Sequence, residues 1–134
     1  MGFKAGTTDL PELTTGGLSI TKAATTATSD SSNAVSKTQN GVRAGSIVVT
    51  MDTGHSIAAN TGFMVATITC DEVAATDVIV CNAVNCDDGT DDIATGLSCD
   101  ATFIEGGVFK ILILQQSSVA VPAAGRFTLN WAII

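Results

Sequence analysis

The chain has 134 residues, 46% apolar and 14% charged, with a formal net charge of −7 at neutral pH. That length holds one domain, or one domain with an extension, and an acidic chain with no basic, aromatic-rich patch argues against nucleic acid as a partner. One Trp, no Tyr and 4% aromatics leave the core to Val, Ile, Leu, Ala and Met, and so much apolar content on a small body predicts that part of its surface is an interface.

Residues 1–44 read as an extended N-terminal arm and residues 45–134 as the body. From Thr21 to Asn40 the chain is mostly Thr, Ala, Ser, Asp and Asn, too poor in large apolar side chains to offset the entropy of folding alone. The earlier part carries apolar hooks at Leu10, Pro11, Leu13, Leu18 and Ile20. Two readings stand for it: a partner-binding clip that adds to a neighbour's sheet edge or lies in its groove, or a loose tail. Met1 to Leu10 lacks the apolar run of a signal peptide, and no window reaches the roughly 18 apolar residues of a membrane span, so no membrane partner is expected.

Asn40-Gly41 is a turn signal that ends the arm. Ile47, Val49 and Met51 alternate in a first body strand. Met64, Ala66, Ile68 and Cys70 form one face of the next, with Phe63, Val65, Thr67 and Thr69 on the other. Asp77 to Val84 is a further strand, followed by the acidic loop 85–92, one or two weaker strands over Ile93 to Ile104, and a turn at Glu105-Gly106-Gly107. Val108 to Leu114 is nearly all apolar, which predicts a central strand covered on both faces. Residues 126–134 place Phe127, Leu129, Trp131 and Ile133 on one face, and with 108–114 they read as a final hairpin whose end is core. Short strands between Gly and Asp turns, with no sustained helical period, predict an all-β fold: an antiparallel β-sandwich or jelly-roll-like body.

Ten of the 13 acids fall between Ala44 and Phe109, a stretch with no Lys or Arg. They read as a solvated rim in preference to a ligand site. The Asp87, Asp88, Asp91 and Asp92 loop lacks the alternating ligands and closing Glu of a calcium loop. The four cysteines, Cys70, Cys81, Cys86 and Cys99, contain no C-x-x-C knuckle, which argues against zinc. Free buried thiols are favoured over disulfides, of which Cys81 or Cys86 to Cys99 are the alternatives. His55 is the single histidine and has no nucleophile or phosphate loop around it, so neither an enzyme nor a metal or other cofactor is expected.

The Ala/Thr/Gly-rich strands, the runs Ala75-Thr76-Asp77-Val78-Ile79-Val80 and Gly107-Val108-Phe109-Lys110-Ile111, and the closing Ala123 to Ile134 resemble small all-β capsid decoration (cement) proteins of tailed bacteriophages, and some fibre modules. The resemblance implies a structural viral protein on the capsid exterior of the virion, assembled in the host cytoplasm. It also implies a homo-oligomer, a trimer, whose partner is the major capsid protein. The alternative is a fibre or adhesin-type module recognising a host ligand; the scarcity of aromatic faces for stacking a sugar favours assembly. The four cysteines have no counterpart in the resemblance.

Overall fold

The computed structural model describes the backbone of residues 4–5, 8–9, 13–14, 17–18, 22–30, 33–93 and 96–134, and the side chains of those from Lys22 onward except 103 and 104. Two short antiparallel pairs come first: β1 (Lys4–Ala5) with β2 (Thr8–Asp9), and β3 (Leu13–Thr14) with β4 (Gly17–Leu18). Eight longer strands follow: β5 (Ala23–Thr28), β6 (Ala34–Thr38), β7 (Ala44–Thr50), β8 (Phe63–Thr69), β9 (Ile79–Asp87), β10 (Leu97–Glu105), β11 (Val108–Gln115) and β12 (Arg126–Ile133). They form two four-stranded sheets, β5-β7-β12-β9 and β10-β11-β8-β6, called here the first and second sheet. The fold is a β-sandwich.

Period-two alternation builds the core. Ile47 and Val49 of β7 and Phe127, Leu129, Trp131 and Ile133 of β12 face Met64, Ala66 and Ile68 of β8 and Phe109, Ile111 and Ile113 of β11, all buried. The rings of Phe109 and Trp131 meet edge-on across the two layers at 5.1 Å between centroids. Burying these side chains at roughly 1.5–3 kcal/mol each is what holds the sheets together.

Three expectations are corrected. Residues 23–38, assigned to the arm on composition, are strands of the body: β5 pairs parallel with β7, and β6 parallel with β8. Ser29, Val35 and Gln39 are buried there. Small Ala, Thr and Ser side chains suffice because an edge strand draws on backbone pairing and buries only one face, and Thr suits a pleated surface. These two pairings also make the sandwich mixed, not wholly antiparallel. Second, β11 and β12 do not form a hairpin. They lie in opposite sheets, and the connection between them crosses the end of the sandwich, where Val121 bridges Ile57, both fully buried. Among consecutive strands from β5 onward, only β10 and β11 share a sheet, through the Gly106-Gly107 turn. Third, β11 is central but not covered on both faces: its inward residues are buried, whereas Leu112 and Leu114 remain 38% and 37% exposed.

The Asn40-Gly41 turn falls where the sequence puts it, with Gly41 at a φ of 73° that suits glycine. It joins β6 to β7. Gly41 N donates to Asp71 Oδ1 at 2.7 Å and Asp71 N donates to Asn40 Oδ1 at 2.9 Å, which ties this turn to the one after β8.

Candidate interaction surfaces

The outer face of the second sheet follows from the same alternation that fills the core. With Ile111, Ile113, Met64 and Ala66 inward, Leu112, Leu114, Phe63 and Val65 must point outward. The antiparallel register then sets Leu114 opposite Phe63 and Leu112 opposite Val65. Ala34 of β6 lies beside Val65, and Ser98 and Asp100 of β10 lie beside Leu114 and Leu112. The result is an apolar strip across the middle strands with a polar margin, and Phe63, 52% exposed, is its most prominent member. The signal in the sequence was the apolar run 108–114, broken only by Lys110, together with Phe63 and Val65 on the non-core face of β8.

The outer face of the first sheet has a different chemistry. Thr26, Thr28, Ser46, Thr50 and Thr128 line it around Val48, which is 37% exposed, and Asn130 Nδ2 donates to Asn82 Oδ1 at 3.0 Å across β12 and β9. At one end, where Ile134 N donates to Val78 O, the apolar side chains of Val78, Val80 and Ile134 are exposed.

Of the hooks read from the sequence, Leu13 and Leu18 are directly opposite each other in the β3–β4 pair. Leu10, Pro11 and Ile20 lie outside the described residues.

The acidic loop is organised by its own backbone. Asp87 Oδ1 accepts from Gly89 N at 2.8 Å, and Asp88 Oδ1 accepts from Asp91 N at 2.7 Å and Thr90 N at 2.9 Å. Arg126 Nε donates to Asp87 at 3.2 Å, and its guanidinium holds that carboxyl below the usual carboxylate range; backbone donors from Asp91 and Thr90 do the same for Asp88. Among the described residues no group of three or more His, Cys, Asp or Glu is placed to hold a metal ion. His55 sits 3.7 Å from Asp52 Oδ2, three residues back in the same loop.

All four cysteines are free thiols. Cys70 is buried and its Sγ donates to Val42 O at 3.2 Å. Cys81 of β9 and Cys99 of β10 both pack against the core and perturb one another's thiols. Burial, and then the neighbouring Cys81, pushes the Cys99 thiol up to about 12. Among the described residues no helix is long and apolar enough to cross a membrane.

No family model, curated protein or solved structure matches the chain.

Proposed function

We propose that this chain is a structural subunit of a bacteriophage particle, which decorates and stabilises the capsid exterior as a homotrimer bound to the major capsid protein. The observation that carries the reading is the apolar strip Phe63, Val65, Leu112 and Leu114. A strand that spends apolar residues on its outer face as well as its inner one is a strand built to be covered, as the sequence pattern of β11 itself suggests. Covering these side chains, already part-buried, would contribute on the order of 1 kcal/mol each. Four of them together give about 4 kcal/mol, too little for a permanent interface by itself, so further contacts would share the attachment.

The acid in the loops supports solubility between assembled states, and binding in preference to catalysis fits a chain whose single histidine faces one aspartate. The strip is also a better match to protein than to sugar. Trp131 is buried against Phe109, and among the described residues Phe63 is the one exposed aromatic.

The test is sedimentation of the full-length protein at micromolar concentration, alone and with empty phage capsids, beside the Leu114→Asp variant. The reading expects the wild type at three times the 13.5 kDa chain mass and bound to capsids, with at least a tenfold loss of binding in the variant. A monomer that ignores capsids would end it.

A further inference from the structure

Packed sheets sit about 10 Å apart, yet along one side of the sandwich the β9 and β10 backbones come within 8 Å of each other. Small side chains permit this approach. Cys81 and Ala83 face inward from β9, and Cys99 and Ala101 from β10, where bulkier residues would hold the layers apart. Both strands are sheet edges, so no third strand stands between the thiols. Cys81 and Cys99 both pack against the core from these two stacked strands, and of the thiols each is the one that acts most on the other. Cys86, which enters the core only because Asn85 takes a φ of 56° where the β9–β12 register shifts, is the more deeply buried neighbour.

We propose that Cys81 and Cys99 form a cross-linking site, a latent disulfide that closes the β9–β10 side of the sandwich when the protein meets a low-molecular-weight disulfide. The chemistry is thiol–disulfide exchange. The Cys81 thiolate attacks one sulfur of the small disulfide, forming a mixed disulfide and releasing one small thiol. The Cys99 thiolate then attacks the Cys81 sulfur and expels the second small thiol. Two protein thiols are oxidised, one small disulfide is reduced to two thiols, and the two protons leave with them.

A disulfide requires Cα atoms roughly 4.4–6.8 Å apart, a span that two strands approaching within 8 Å reach by a small shift. The thiols of both residues are raised by burial, so the exchange is slow at neutral pH and accelerates as pH rises. In a thiol-rich compartment excess small thiol drives the exchange back and keeps the pair reduced, and outside one the pair closes over longer exposure. The cross-link would tie together strands from opposite sheets that are 18 residues apart. Constraining a loop of this size typically gains enough to raise the Tm of a domain this large by about 10 °C. The inference stands apart from the capsid reading, because it concerns the isolated subunit.

The experiment takes the reduced full-length protein, treats it with oxidised glutathione at pH 7 and pH 9, and quenches by alkylation before peptide mass mapping and thermal unfolding. Expected are a Cys81–Cys99 linked peptide as the main product, faster closure at pH 9, and a Tm raised by about 10 °C and restored by reductant. The Cys86→Ala and Cys70→Ala variants should close in the same way. Cys99→Ser should accumulate glutathione on Cys81, which separates a missing second step from a misfolded variant. The proposal is overturned by a Cys86–Cys99 link, by linkage between chains, by stable glutathione adducts on the wild type, or by a cross-link that leaves the Tm unchanged or lower.

Discussion

Trp131 joins both layers of the sandwich, and replacing it with Phe separates its two roles. The indole is 2% exposed, packs edge-on against Phe109 and donates Nε1–H to Gln39 Oε1 at 2.7 Å. Gln39 is itself buried, and its Nε2 donates to Ala23 O at 3.3 Å, so this chain of bonds pins the start of β5 to the core. A phenyl ring in place of the indole would keep most of the ring contact and leave the Gln39 oxygen with no donor. An orphaned buried acceptor costs about 1–3 kcal/mol, and the lost part of the indole roughly 1–2 more at about 0.8 per buried methylene-sized group. The Tm should therefore fall by about 10 °C, and Trp131→Ala, at about 3–5 kcal/mol, should lose more. Adding Gln39→Met to Trp131→Phe removes the orphaned oxygen, so the double variant should be more stable than the two single losses sum to. Thermal or urea unfolding of the wild type, the two single variants and the double variant reads this out. Strictly additive losses, or a Trp131→Phe variant as stable as wild type, would mean that the bond contributes nothing.

Gly45→Ala should destabilise by about 1–3 kcal/mol in urea unfolding, because a Cβ there overlaps Trp131 Nε1 and Gln39 Oε1, two side chains that are themselves fully packed. Arg126→Gln should make stability less dependent on pH. The Asp87 carboxyl has its folded pKa depressed below the ordinary 3.8 by Arg126, so its contribution is present above that value and disappears as pH falls through the folded one. Wild type and variant should therefore differ at pH 7 and converge near pH 2. Deleting residues 1–20 should leave the sandwich folded, since β5 begins at Ala23, and weaken capsid occupancy; undiminished occupancy would remove the clip role of Leu10, Pro11, Leu13, Leu18 and Ile20 and leave attachment to the body alone.

The inner faces of β7, β8 and β12 were legible because each alternates large apolar with small or polar residues, and a period of two has one interpretation when one face is solvated. In β11 that contrast is missing, since Leu112 and Leu114 are as apolar as Ile111 and Ile113, and only the register against β8 tells the core face from the outer one. β5 and β6 lacked contrast for the opposite reason. Ala, Thr and Ser differ little in hydrophobicity, and what fixes these strands is parallel pairing to β7 and β8. The crossing from β11 to β12 was hidden too, because the same alternating strands can fold back beside one another or pass over the end into the other sheet. Cys99 belongs to that class: the sequence leaves Cys81 and Cys86 as equal candidates to pair with it until β9 and β10 are stacked.

The position of the apolar strip decides what kind of association it can serve. It lies on β8 and β11, the middle strands of the second sheet, so a partner has to cover the face and cannot simply extend the sheet at an edge. Two of the four edges carry charge that works against extension. β6 carries Lys37, and β10 carries Asp100 and Glu105, charged residues that discourage strand addition. Residues 1–21 join the body at β5, on the edge of the first sheet and in the layer opposite the strip. A contact made by the strip and one made by residues 1–20 therefore draw on different segments of the chain. Leu114→Asp perturbs the first, deletion of residues 1–20 perturbs the second, and their effects on assembly are separable because neither change reaches the core that the two sheets share.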